Sequence, residues 1–306
     1  MNSTELKPRY NKDKIEKLVL KAKILNICKE IQVAYERICY LISKTDRDHI
    51  LYIPDDIGLI IESAQDARFI TYMRRLYGKL KVVGGGRLLS TSKIFSGCTV
   101  DELDLSELDT HSVKDMGRMF YRCKAKLIDL SNFDTSNTKF MGEMFYGCKV
   151  ESLDLSSFNT RKVVTMSRMF TDCNVKSINI SSFITSSVIN MDAMFYLCQA
   201  EGLDVKSFDT SNVIDMHDMF RSCKFKNLDL SSFNTHNVTN MSGMFENCNF
   251  ELLDISSFDT GKVIYGLENK MLFDTRPIFL NATGAVKVTD ESFMKFNSDT
   301  LKIEMV

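Results

Sequence analysis

The chain has no tryptophan, three prolines and four histidines among its 306 residues. Nowhere does it carry an apolar run of about 18 residues, the length needed to cross a bilayer as a helix, so no membrane insertion is expected. The opening residues MNSTELKPRYNK are polar and charged rather than those of an export signal. On that reading the chain stays in the cytoplasm. No G-x-S-x-G elbow, no G-x-x-x-x-G-K-[ST] phosphate loop and no H-E-x-x-H pair is present. Of His49, His111, His217 and His236, only His111 and His236 share a repeat position, and they stand five units apart, so neither an acid–base pair nor a metal-ligand set can be assembled from them. These absences exclude the common hydrolase, nucleotide-binding and zinc-protease classes. No catalytic residue, metal, cofactor or small-molecule substrate is therefore expected. A formal net charge of −1 argues against a chain wholly devoted to nucleic acid.

What is present is order. Of nine cysteines, Cys98, Cys123, Cys148, Cys173, Cys198, Cys223 and Cys248 recur every 25 residues. One thiol per unit at a fixed place is a stacking pattern, each acting as a small buried hydrophobe, and reduced thiols are expected. Charge is unevenly divided: residues 1–100 hold 18 basic and 11 acidic side chains (+7), and residues 101–306 hold 21 and 29 (−8).

The units LDLSELDTHSVKDMGRMFYRC (103–123), IDLSNFDTSNTKFMGEMFYGC (128–148) and LDLSSFNTRKVVTMSRMFTDC (153–173) begin a series that continues without insertion to Cys248. Leu103, Asp104 and Leu105 alternate apolar and polar like a short strand buried on one face. Val113, Met116, Met119, Phe120 and Cys123 fall on one side of a helical wheel, which predicts a short helix. Thr110 and its equivalents through Thr260 stand where an N-cap oxygen would. No unit of this size buries its own apolar face, so the units must stack. The expected fold is α/β: a leucine-rich-repeat-like solenoid with a parallel sheet on one wall and short helices on the other.

Asp101, Lys126, Glu151, Lys176, Glu201, Lys226 and Glu251 alternate in sign at the repeat spacing. Stacked, they become neighbours of opposite charge that set register more than they stabilise. The Gly84–Gly86 run falls where the first, degenerate unit leaves its strand, and is read as a turn.

Three domains are expected: a mainly helical, basic N-terminal domain (1–77), the solenoid (78–265) and a β-rich C-terminal cap (266–306). The helices are placed at 11–45 and from Pro54 towards Tyr77. Lys12, Lys14, Lys17, Lys21, Lys23 and Lys29 lie on the first and could meet nucleic acid or another acidic surface.

The Met-Phe-x-x-Cys signature and the LDLSSFNT run resemble the repeat of the BspA-like bacterial surface proteins, a branch of the leucine-rich-repeat group. The likeness extends from residue 78 to about residue 265. It implies a solenoid that binds protein, often in adhesion at a cell surface.

Candidate binding residues are sought where the repeats differ. The column Asp104, Asp129, Asp154, Asn179, Asp204, Asp229 and Asp254 could attract cations or a basic partner, yet its presence in every unit favours an internal hydrogen-bonding role. Val164, Ile189 and Ile214 stand in three consecutive units at a slot that is threonine at Thr239. On a continuous helix this slot points about 160° from the buried stripe, giving an apolar patch; an irregular turn would instead tuck the three inward. Tyr121, Tyr146 and Tyr196 follow the Met-Phe pair and form a second candidate, since tyrosine is enriched at interface hot spots. The expected function is a non-enzymatic binding module inside the cell, an adaptor or an inhibitor that occludes a larger complex. The alternatives are a surface adhesin, or a nucleic-acid binder acting through the N-terminal lysines.

Overall fold

The repeated L-D-L segment pairs with its own copy 25 residues on, and this sets the architecture. The structure is a computed structural model that describes residues 48–53, 79–86, 88–225, 227–263, 278–288 and 301–305. Its strands are β1 (Asp48–Ile53), β2 (Lys79–Gly84), β3 (Glu102–Leu108), β4 (Leu127–Asp129), β5 (Ser152–Asp154), β6 (Ser177–Asn179), β7 (Asn227–Asp229), β8 (Asn249–Asp254), β9 (Thr283–Val288) and β10 (Leu301–Met305). They form three parallel sheets, β1-β2-β3-β4, β5-β6 and β7-β8-β9-β10. Within the repeats the register is one unit: Leu103 faces Ile128, Leu153 faces Ile178, and Leu228 faces Leu253. Two further lines of bridges tie the coils together. One runs Ser90, Asp115, Phe140, Thr165, Asn190, Asp215, Asn240, and the other Thr99, Lys124, Lys149, Asn174.

The core is the set of columns that the repeat predicts. Val113, Met116, Met119, Phe120 and Cys123 are fully buried, as are their equivalents through Val238, Met241, Met244 and Phe245. The seven described cysteines are free and buried.

The expected short helices are absent: among the described residues there is no helix. The segment after Val113 is a chain of β-turns. Met119 N–H bonds to Met116 O, Tyr121 N–H to Arg118 O and Cys123 N–H to Phe120 O. The amides between them go to the next coil: Arg118 to Gly142 O, Phe120 to Met144 O and Arg122 to Tyr146 O. Backbone donors thus alternate between their own coil and its neighbour, whereas a helix would keep all of them. Spacing supplies the reason. Phe120, Phe145, Phe170 and Phe195 stack at 5.2–5.6 Å between ring centroids. A helix with side chains is about 10–12 Å across, so helices cannot follow one another at that interval. Turns with a left-handed third residue fit instead, and Arg118, Arg122, Glu143, Arg168 and Asp172 all have φ between 52° and 59°.

The threonine column does not cap helices either. Thr110 Oγ1 donates to Asp134 O at 3.0 Å and accepts from Asp134 N–H at 2.9 Å. Thr135, Thr160, Thr210 and Thr235 do the same one coil further on. Each buried hydroxyl therefore substitutes for a missing rung between coils. The corners close through Asx turns: Asp104, Asp129, Asp154, Asn179, Asp229 and Asp254 each accept the N–H two residues on.

The mainly helical reading of residues 1–77 is also corrected where it can be seen. Asp48–Ile53 is a strand, paired in parallel with β2 from Asp48 opposite Lys79 to Ile53 opposite Gly84. The helices expected at 11–45 and 54–77, with Lys12, Lys14, Lys17, Lys21, Lys23 and Lys29, lie outside the described residues. At the glycine run, Gly84 and Gly85 have φ of 91° and 92°, and Leu88 N–H bonds to Gly85 O, so the run makes a turn. In the C-terminal strands Gly284, φ 121°, lies so close to β8 that a Cβ there would sit 1.9 Å from Phe250 O.

Candidate partner-binding surfaces

The first surface is the apolar row. Ile189 N–H bonds to Val164 O at 3.0 Å and Ile214 N–H to Ile189 O at 2.9 Å, so the three residues are direct neighbours on successive coils. Ile189 is 50% and Ile214 48% exposed, and Val164 is half-buried. The backbone here turns outward because the flanking Val188 and Met191 fill the core. Ile189 and Ile214 form one side of a shallow groove of about 630 Å³, with Ser186, Ser187, Asn212, Asn237 and Thr239 around it. The amides are fixed: Asn212 Nδ2 donates to Ser186 O and Asn237 Nδ2 to Ser211 O, both at 2.8 Å. An exposed apolar strip beside a rigid row of amides offers shape and hydrogen-bonding capacity to a macromolecule, and no group for chemistry.

The tyrosines divide. Tyr121 and Tyr146 come together, ring centroids 4.8 Å apart and planes 16° from parallel, with the Arg122 guanidinium 5.3 Å from the Tyr121 ring. Tyr196 is two coils away, beyond the buried Thr171, and its ring carries Arg221 at 5.3 Å.

A charged network occupies the turn wall of the middle coils. Asp192, 5% exposed, meets Arg168 Nε at 3.3 Å and His217 Nε2 at 3.8 Å; His217 Nδ1 lies 2.8 Å from Asp215. The Asp215 hydrogen bond, reinforced by the charges of Asp192 and Asp218 and opposed by burial, raises the His217 pKa. Arg221 bridges Glu246 at 3.0 Å and Asp218 at 3.6 Å. The Arg168–Asp192, His217–Asp192 and Arg221–Glu246 contacts run between coils, and the network reads as a set of internal ties.

The strand carboxylates are also occupied. Besides the Asx bond, Oδ1 of Asp104, Asp129, Asp229 and Asp254 accepts the hydroxyl of Ser106, Ser131, Ser231 and Ser256. Among the described residues no group of three or more His, Cys, Asp or Glu is placed to hold a metal ion. In the alternating charge column Lys126 reaches Asp101 at 3.0 Å and Lys176 reaches Glu151 at 2.9 Å, each lysine pairing with the preceding coil; Lys226 is outside the described residues.

One set of exposed residues escapes a unit-by-unit reading. Lys124 and Lys149 are bridged neighbours of like charge, each three residues after a tyrosine of the stacked pair. The visible signal is a pair of lysines one repeat apart, two residues before the column from Asp101 to Glu251 whose charges alternate.

Stacked 25-residue coils with every core column filled define a repeat protein of the solenoid class. Residues 89–202 and 172–283 match the family described as Mycoplasma protein of unknown function, DUF285, and the chain belongs to that family. Neither the curated proteins nor the solved structures include a significant match to it.

Proposed function

We propose that the protein is a non-enzymatic binding module whose solenoid holds another protein or protein complex inside the cell, as an adaptor or an occluding inhibitor. The observation that carries this reading is the row Val164, Ile189 and Ile214. Three apolar side chains stand at a slot where lysine (Lys114, Lys139) or threonine (Thr239) stands in other units, two of them about half exposed, in a fold whose apolar columns are otherwise buried. Such departures from the repeat mark partner surfaces better than invariant columns do. The likeness of the repeat to that of BspA-like proteins supports a role in protein binding. The seven free, buried thiols fit a reducing compartment. A surface adhesin is the rival within that likeness, and recovery of the protein from outside the cell membrane on fractionation would select it.

Site-specific photo-crosslinking tests the surface. A photoreactive residue in place of Ile214 in the full chain, expressed in its native cells, is expected to give one discrete protein adduct, and the same residue at the sheet-face position Ser177 none. Adducts at Ser177 with none at Ile214 would move the site to the sheet wall.

A further inference from the structure

In one exposed column of this solenoid the chain balances its stacked charges, and two residues earlier it does not. Asp101, Lys126, Glu151 and Lys176 alternate, and the lysines pair with the acids at 2.9–3.0 Å. Lys124 and Lys149, both exposed, are instead bridged partners on adjacent coils, with Lys149 N–H bonded to Cys123 O and Ala125 N–H to Lys149 O. Like charges set directly opposite on neighbouring strands repel. Among the described residues neither lysine makes an ion pair, and neither does Arg122. Stacked cations with no acid paired to them among the described residues are open to an anion from outside.

Three residues before each lysine stands a tyrosine, and the two rings form a flat platform. Tyr121 and Tyr146 stack at 4.8 Å, and the Arg122 guanidinium lies 5.3 Å from the Tyr121 ring centre. Arg122 is held across the next coil at Gly147, where a Cβ would meet its Cγ at 3.0 Å; the equivalent positions in the following coils are Asp172, Leu197 and Ser222. Gly147 thus leaves room for this arginine where the following coils carry side chains. Arg118, exposed next to the pair, is engaged by Glu143 at 2.6 Å, so one acid enters the strip and it is already neutralised.

Cations that track a backbone, interleaved with aromatic rings that accept planar bases, are the elements of single-strand nucleic-acid binding. We propose that Arg122, Lys124 and Lys149 with Tyr121 and Tyr146 form a binding site for single-stranded nucleic acid, the cations on its phosphates and the tyrosines against its bases. The site occupies the early coils of the turn wall, apart from the Ile189 row and independent of the function proposed for it. It also differs from any contact made by the N-terminal lysines.

Fluorescence anisotropy on the full chain, with labelled oligo-dT and oligo-U over a salt series, tests this. Binding by either oligomer supports the site, and their ratio tells DNA from RNA. K124Q/K149Q is expected to weaken binding and to reduce the slope of log K against log salt by about 1.4, two phosphate contacts on a single strand. Y146L is expected to weaken binding by about tenfold, one lost base stack, with the slope unchanged. Should Y146L lower the melting temperature, R122Q at an exposed position takes its place, expected to cost affinity and about 0.7 of slope. No binding of either oligomer at low salt overturns the proposal, as does binding that K124Q/K149Q leaves untouched, which would assign it to the N-terminal lysines. Polyphosphate competing equally, with Y146L silent, would also overturn it by reducing the strip to a plain anion surface.

Discussion

Phe120 stacks on Phe145, one coil on, with ring centroids 5.2 Å apart and planes 8° from parallel. The contact recurs along the column from Phe95 to Phe245 at 5.2–5.8 Å, and it fixes the advance per coil on the turn wall. Phe145→Ala removes a fully buried ring from the middle of this ladder, and its two neighbours cannot close over the gap without bending the stack. A loss of about 3–5 kcal/mol is expected in denaturant unfolding; a loss under about 1 kcal/mol would mean that the ladder is not the spine of the fold.

Thr160 donates to Ile184 O at 2.9 Å and accepts from Ile184 N–H at 2.8 Å. Thr160→Val keeps the shape and removes both bonds, at an expected cost of about 1–3 kcal/mol for the buried groups left unpaired. Thr160→Ser is expected to recover most of this. If valine and serine were equally tolerated in thermal melts, the hydroxyl would not be a link between coils.

The burial of Val113, Met116, Met119, Phe120 and Cys123 was legible in the sequence; the conformation that buries them was not. Spacings of three and four satisfy a helical wheel, and they equally satisfy consecutive turns that close on residue i−3. What separates the two is the room between coils, a property of the stack rather than of one unit. The left-handed positions were hidden because Arg118, Arg122 and Arg168 occupy them in some units. Gly97, Gly147 and Gly243, all with positive φ, were the visible trace. Asx corners were readable in the repeated pattern of Asp or Asn two residues before a serine, and the strand column's internal role follows from it. The exposed row at Ile189 was one of two readings left open, and the geometry of the turn decided it. Neither Lys124 nor Lys149 stands out within its own unit. Only the stack makes them neighbours.

Gly284 lies against β8 with φ 121°, and a methyl group there would stand 1.9 Å from Phe250 O. Gly284→Ala must push β9 away from β8 or leave the backbone strained, which costs about 1–3 kcal/mol before the clash is counted. The expected readout is a lower melting temperature and faster proteolysis of the C-terminal strands. An unchanged melt would show that these strands do not cap the solenoid.

Burial pushes the Cys198 thiol up to about 11 and Cys248 up to about 12, from an ordinary 9.0. The unfolded chain therefore gives up these protons at lower pH than the folded one. The contribution to stability is complete below pH 9, falls as pH rises, and is lost by about pH 11–12. Unfolding free energy measured from pH 8 to 11 is expected to decline over that window. A thiol reagent at pH 7 is expected to leave the seven described cysteines unmodified until the chain is unfolded, and rapid labelling of Cys198 in the folded protein would contradict their burial.

The most direct test of the account is Ile189→Asp, with stability and complex formation measured on the same preparation. An exposed side chain in a docking row predicts unfolding free energy within about 0.5 kcal/mol of the wild type, together with loss of the protein adduct formed at Ile214. A fall of several kcal/mol, the cost of forcing a charge into an apolar site, or an undiminished complex, would contradict it.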